Sequence, residues 1–128
     1  MKKIVFVVEK TSDGFSAYAL EEGIAVGTSA DSMAELKSNI VDAYNSYAEM
    51  EGVDKVTLDH IQIQLDIPQL FKFYNEINAS ALGNRIGMDK TLISQYVNGH
   101  KVPGKKQVEK IIAGIRQLGD ELSSLELA

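Results

Sequence analysis

The sequence predicts an α+β protein of two units, a β-β-β-α-β unit in residues 1–67 and an all-α unit in residues 68–128. Short β-branched runs separated by turn residues fill the first unit, whereas apolar residues beyond it recur at helical spacing. The charge changes at the same place. Residues 1–67 carry five Lys/Arg against twelve Asp/Glu, a net of −7, and residues 68–128 carry eight against six, a net of +2. An acidic unit joined to a basic one indicates two different partners.

Three strands account for the beginning of the first unit. Ile4–Val8 is a continuous β-branched and aromatic run, which is typical of a central strand covered on both faces. Asp13–Gly14 predicts a hairpin turn in which glycine supplies left-handed backbone. Phe15–Leu20 alternates as a second strand, and Gly23 marks a further turn before a third short strand at Ile24–Thr28.

A helix and a fourth strand complete this unit. Ser32–Glu35 fits a capping box, and apolar residues then recur at helical spacing as far as Gly52, a glycine stop. From His60 the chain alternates strictly, so Ile61, Ile63, Leu65 and Ile67 share one face of a half-buried strand. Pro68 cannot extend a central strand but suits the first turn of a helix, so we place the boundary there.

Composition excludes several classes of protein. The chain has no cysteine, which rules out disulfides and thiol chemistry, and its two histidines lie far apart. The apolar run near Met1 is too short for an export signal or a membrane span. We therefore expect a cytoplasmic protein that contacts no membrane and needs no metal or other cofactor.

Residues 78–99 have the pattern of a helix-turn-helix. Asn78 can cap a first helix, Gly87 provides a left-handed exit, and Asp89 can cap a second helix. Leu82, Ile86, Met88, Ile93 and Tyr96 supply the buried side. The outer face of the second helix carries Lys90, Thr91, Ser94, Gln95 and Asn98, which are residue types that hydrogen-bond to base edges and phosphates.

This segment resembles the Cro/repressor-type helix-turn-helix family. The resemblance is carried by Leu82–Asp89, Ile93–Tyr96 and the run Asn98–Pro103, and it covers about Phe71 to Leu118. It implies that the protein binds double-stranded operator DNA. The DNA-binding residues we expect are Asn78, Lys90, Thr91, Ser94, Gln95, Asn98, Lys101, Lys105 and Lys106.

A heptad-like apolar seam follows Pro103. Its members are Val108, Ile111, Ile115, Leu118, Leu122 and Leu125, with Gly114 and Gly119 expected to weaken it. The seam is longer than the core of a small unit requires. We therefore expect part of it to pair with a second chain in a homodimer or higher homo-oligomer, as DNA readers of paired half-sites do.

The first unit is similar to the HicB antitoxin family in Asp13–Phe15, in Gly23, and in Ala30–Glu35 at the start of the helix. That family places a truncated RNase H-like unit before a DNA-binding module. The resemblance implies a type II toxin–antitoxin system in which residues 1–67 occlude a small basic HicA-type mRNA-cleaving toxin and residues 68–128 repress the operon. Acidic residues suit a basic toxin, and we suspect Glu9, Asp13, Glu21, Glu22 and Asp59.

Two alternatives belong to other classes. The chain could be a stand-alone transcriptional repressor whose first unit only dimerises or senses a small molecule. It could also be a nuclease, because an RNase H-like unit invites metal-assisted cleavage, which requires several carboxylates to converge. Nothing in the spacing of Glu9, Asp13, Glu21 and Asp66 forces them together, so we expect no enzyme activity.

Overall fold

The structure, a computed structural model, describes residues 2–127. Within them the chain is α+β, with four strands and five α-helices. It divides into two compact units, one ending at Phe73 and the other starting at Tyr74. The division thus lies beyond the boundary that the sequence suggested at Pro68, because the helix after that boundary packs on the sheet of the first unit.

The first unit is built on a mixed sheet with the strand order β3-β2-β1-β4. The strands are β1 (Ile4–Thr11), β2 (Gly14–Ala19), β3 (Gly27–Ala30) and β4 (Ile61–Leu65). β1, β2 and β3 are antiparallel neighbours, whereas β4 runs parallel to β1 and pairs Ile4 with Ile61. With the helix between β3 and β4, the predicted order of elements is present.

Helix α1 (Met33–Glu51) covers one face of the sheet. Ser32 Oγ accepts a hydrogen bond from Glu35 N at 3.2 Å, which satisfies an amide of the first turn, and Gly52 ends the helix at φ 71°. Both ends lie where the sequence predicted them, although among the described residues only the Ser32 half of the predicted capping box is present. The buried stripe of α1 is Leu36, Ile40, Tyr44 and Ala48, in one cluster with Phe6 and Val8 of β1.

The connection from α1 to β4 is fastened to the helix by one side chain. Asn45 Oδ1 accepts a hydrogen bond from Val56 N at 2.8 Å, and Asn45 Nδ2 donates to Val56 O at 3.0 Å. Val56 itself is buried in the core below α1. The connection then makes a short 3-10 turn, Leu58–His60, before β4 begins.

Helix α2 (Ile67–Phe73) packs against β1, which joins it to the first unit. Asp66 Oδ1 accepts from Gln69 N at 3.1 Å at the start of this helix. The Gln69 side chain then accepts from Lys10 N at 2.9 Å and donates to Lys10 O at 2.7 Å. Its amide therefore continues the hydrogen bonding of β1 beyond the end of β4.

Three details of the first unit differ from the sequence-based expectations. β3 begins at Gly27 rather than Ile24, because Val26 N donates to Ile24 O in a tight turn at 3.0 Å. Ile67 belongs to α2 and not to β4. Gly14 does not have left-handed backbone; a β-carbon there would collide with the carbonyl oxygen of Ala30, so close approach of the chain is what requires glycine.

The second unit consists of α3 (Ala79–Ile86), α4 (Lys90–Val97) and α5 (Lys105–Ser123). α5 runs through both of its glycines without a break. Gly114 was expected to weaken the seam, but it is buried where α5 packs on α3, and a β-carbon there would lie 3.1 Å from Leu82 Cδ1 and closer still to Ile86 Cγ2. The core of this unit contains Leu82, Met88, Ile93, Tyr96 and Ile111.

None of the helices in residues 2–127 combines the length and the apolar character that crossing a membrane requires.

Candidate nucleic-acid interface

The turn between α3 and α4 is fixed by main-chain and side-chain hydrogen bonds. Asn78 Oδ1 accepts from Ala81 N at 3.0 Å and caps α3. Gly87 ends α3 at φ 70°, a left-handed conformation that other residues adopt at a cost. Met88 N then donates to Gly83 O at 2.8 Å, and Asp89 Oδ1 accepts from Thr91 N at 2.7 Å to cap α4.

A small residue at position 83 lets α4 approach α3 closely. A β-carbon on Gly83 would lie 3.0 Å from Met88 O and 3.1 Å from Ile93 Cγ2. Those distances are tight even for a methyl group, which gives a packing reason for glycine in the middle of a helix. Met88 and Ile93 are both buried. The close contact holds α4 at a defined position on α3, which a recognition helix requires.

The outer face of α4 presents the predicted polar residues. Lys90, Thr91 and Ser94 are exposed, as is Asn98 just after the helix, and Gln95 is half-buried. Asn98 Nδ2 donates to Ser94 Oγ at 3.1 Å, which orients both side chains on the surface. The segment therefore offers donors and acceptors of the kind that base edges and phosphates pair with.

The remaining predicted DNA contacts follow α4 or precede α3. Gln95 O accepts hydrogen bonds from His100 N at 2.9 Å and Lys101 N at 3.2 Å, which turns the chain after α4. Lys101 is exposed, and Lys105 and Lys106 are exposed in the first turn of α5. Asn78 uses its side-chain oxygen as the cap of α3, so its contact to phosphate would come from the amide nitrogen.

Arg85 is committed to an ion pair within the second unit. Its guanidinium donates to both carboxylate oxygens of Glu121, with Nη2–Oε1 at 3.2 Å, and Nη1 also donates to Gln117 Oε1 at 3.3 Å. The hydrogen bond from Arg85 lowers the pKa of Glu121, and the same bond raises the pKa of Arg85. This pair joins the end of α3 to α5.

The five carboxylates suspected of binding a toxin do not share one surface. Asp13 lies in the β1–β2 hairpin, where it accepts from Thr11 Oγ1 at 3.1 Å, and Glu9 is near the same end of β1. Asp59 precedes β4, which is parallel to β1, so it lies at the opposite end of the sheet. The connection carrying Glu21 and Glu22 is also at that end.

The sheet face opposite α1 carries exposed apolar side chains that sequence reasoning did not single out. Tyr18 is 44% exposed and Leu20 is 51% exposed. The pKa of Tyr18 is raised by burial, then by the nearby carboxylates of Glu9 and Asp66. The alternation of Phe15–Leu20 carries the signal, because its other half, Phe15, Ala17 and Ala19, faces the core.

Comparison with protein-family models, curated proteins and solved structures finds no match to this chain. Among residues 2–127, no three His, Asp or Glu side chains lie close enough together to hold a metal ion.

Proposed function

We propose that this protein is the antitoxin of a type II toxin–antitoxin pair, which represses its own operon through α3 and α4 and occludes a small basic RNA-cleaving toxin through its first unit. The observation that carries the DNA-binding part is the capped, closely packed α3–α4 pair, which leaves a polar face on α4 exposed. The toxin-binding part rests on the charge of the first unit and on the exposed side chains of Tyr18 and Leu20.

Operator recognition assigns different roles to two groups of residues. Gln95, on α4, would read a base edge in the major groove, and a good bidentate contact of this kind contributes about 1–3 kcal/mol of discrimination. Lys105, exposed at the start of α5, would contact a phosphate and contribute mainly affinity. Repression follows because a protein seated on its own promoter excludes the polymerase.

Binding titrations at several salt concentrations test the DNA-binding part, with the operator identified by selection from a random duplex pool. Gln95→Ala should lose about 1–3 kcal/mol of binding free energy on the selected site. It should also bind some of the sequences that the wild type rejects. Lys105→Ala should weaken all duplexes alike and flatten the salt dependence. Lys37→Ala, an exposed lysine on α1, is the matched control. Unchanged binding in both test variants would contradict this docking.

Toxin occlusion requires no chemistry by this chain. A basic RNA-binding face would be attracted by the carboxylates and would bury the apolar side chains of Tyr18 and Leu20. Glu9 lies on the same sheet face as Tyr18, because Val7 pairs with Tyr18 and Glu9 follows two residues later on β1, so acidic and apolar groups occur together on this face. Charges at the rim act mainly on the association rate, whereas the buried apolar contacts act on the lifetime of the complex.

Co-expression of the full chain with the product of the neighbouring gene tests the toxin-binding part, scored by growth and by RNA cleavage in vitro. Tyr18→Ala combined with Leu20→Asp should abolish protection. Leu58→Asp is the matched control, because Leu58 is 48% exposed but lies outside this sheet face. If the wild-type chain neither binds nor protects, the antitoxin proposal fails and a stand-alone repressor replaces it.

A further inference from the structure

β4 forms an open edge of the sheet. Asp66 N donates to Val8 O at 2.9 Å, so the main-chain groups of Asp66 point to β1. The direction of these groups alternates along a strand, so those of Gln64 and Gln62 also point to β1. Those of Ile61, Ile63 and Leu65 therefore point outward. Ile61 N donates to Leu58 O, but the remaining outward groups have no hydrogen-bond partner within residues 2–127. Unpaired groups in a row are a template for another strand.

The other edge of the sheet is protected. There, Asn39 of α1 donates its side-chain Nδ2 to Ser29 O of β3 at 3.0 Å, which occupies an outward carbonyl. α1 also packs closely along β3. The sequence of β4, Ile-Gln-Ile-Gln-Leu, contains no charge and no proline, and the turn at Leu58 covers only its first residue. The β4 edge of the sheet is therefore more open to pairing with a further strand than the β3 edge.

We propose that β4 pairs antiparallel with β4 of a second copy of this chain, with Ile63 opposite Ile63 at the two-fold axis. Ile63 N–H of each copy donates to Ile63 C=O of the other, and Leu65 N–H donates to Ile61 C=O of the other. In the pairing the turn bond from Ile61 N to Leu58 O opens, and Ile61 N donates to Leu65 C=O of the second copy instead. Two sheets then join into one. Ile61, Ile63 and Leu65 of both copies extend the apolar layer on the α1 side, and Gln62 lies opposite Gln64 of the second copy on the other face.

A second copy fits this edge because the pattern of β4 is the same when read from either end. An isologous contact requires such self-complementarity, since the same residues meet in both directions. Residues 1–67 carry a net of −7, but β4 itself is uncharged, so its edge is where two copies meet with the least repulsion.

This contact is independent of the α5 seam and of the proposed function. The seam lies in the second unit, and the edge strand lies in the first. A variant that disables one contact should therefore leave the other intact. For this reason the experiment uses the full chain carrying Leu122→Asp, so that pairing through α5 does not bring the two edges together.

Disulfide trapping tests the register directly, because the chain has no cysteine. In the proposed pairing, residue 62 and residue 64 of the second copy form a non-hydrogen-bonded pair with Cα atoms about 4.5 Å apart, within the range that a disulfide spans. A mixture of Gln62→Cys and 15N-labelled Gln64→Cys chains should yield mostly the mixed covalent dimer. Either variant alone should yield little, because its own cysteines are diagonal neighbours.

Ser29→Cys, on the protected edge, is the control for random collisions. Mixed dimer no more abundant than the Ser29→Cys dimer would overturn the proposal, and so would a predominance of dimers between two Gln62→Cys chains. Hydrogen exchange of the Leu122→Asp chain without cysteine provides a second readout. The amides of Ile63 and Leu65 should exchange at least about tenfold more slowly at high than at low protein concentration, whereas that of Ser29 should not change. Concentration-independent exchange at all three positions would also overturn it.

Discussion

Gly114 of α5 lies so close to Ile86 of α3 that the two helices leave no room for a β-carbon on residue 114. Leu82 Cδ1 borders the same spot, 3.1 Å from where that carbon would be. The atoms in the way belong to buried or half-buried side chains of α3, so a β-carbon there would force them to repack. The absence of a side chain at Gly114 therefore sets the distance between α3 and α5.

Gly114→Ala should destabilise the second unit by about 1–3 kcal/mol, because overpacking outweighs the gain in helix propensity. Gly119→Ala is the matched control on the same helix. Residue 119 is exposed and a β-carbon there meets nothing within 4 Å, so this variant should be more stable by about 1 kcal/mol. Urea denaturation measures both, and stabilisation by Gly114→Ala would show that α5 moves away from α3 at little cost.

Gln69→Ala should destabilise the first unit by about 1–3 kcal/mol, since it removes both hydrogen bonds to the half-buried main chain of Lys10. The amide proton of Lys10 should exchange faster in the variant. Gln62→Ala, an exposed glutamine on β4, is the control and should change neither stability nor exchange at Lys10. Unaltered exchange at Lys10 in Gln69→Ala would contradict the role given to this side chain.

Leu122→Asp should weaken self-association through α5 without unfolding the second unit. Leu122 is 56% exposed and Leu125 is 75% exposed, so the end of the seam is open to a second chain. A carboxylate placed in that contact should raise the dissociation constant at least about tenfold, which corresponds to ~1.4 kcal/mol. Sedimentation equilibrium measures it, with Ala113→Asp on another face of α5 as the control. Equal association of the two variants would exclude the seam.

Acidification should remove the contribution of the Arg85–Glu121 pair. The folded pKa of Glu121 lies below its unfolded value, so the stabilisation is present above the unfolded pKa and is lost as the pH falls through the folded one. The contribution should be small and should decrease with salt, because both groups are exposed. Glu121→Gln should therefore lower the melting temperature slightly at pH 7 and by less at pH 3. An equal difference at both values would contradict the assignment.

Features that depend on neighbouring residues were predicted from the sequence. The caps of α1 at Ser32 and Gly52, the left-handed Gly87 and the cap at Asp89 all lie as expected. In each case the deciding interaction is a hydrogen bond or a backbone conformation within a few residues. The burial of Ile93 followed for the same reason, because helical periodicity is a local property.

Features that depend on distant contacts could not be predicted. The need for glycine at residue 14 comes from Ala30, and the membership of α2 in the first unit comes from the bond between Gln69 and Lys10. Tyr18 and Leu20 stood out only once the sheet defined which face α1 covers. Sequence patterns assign a residue to one side of a strand, but they do not say which side another element will cover.

The two hydrogen bonds between Asn45 and Val56 form a clip that affects the rate of folding. In the sequence, β2, β3 and α1 all lie between β1 and β4. The entropy of closing this long loop therefore has to be overcome before any β1–β4 bond forms. Once α1 has docked on the hairpin, Asn45 holds Val56 close to the sheet. Only the short segment between Val56 and β4 then remains to be ordered before β4 pairs with β1. Asn45→Ala should therefore slow refolding more than it speeds unfolding in a chevron experiment, and the opposite pattern would mean that the clip forms after the sheet has closed.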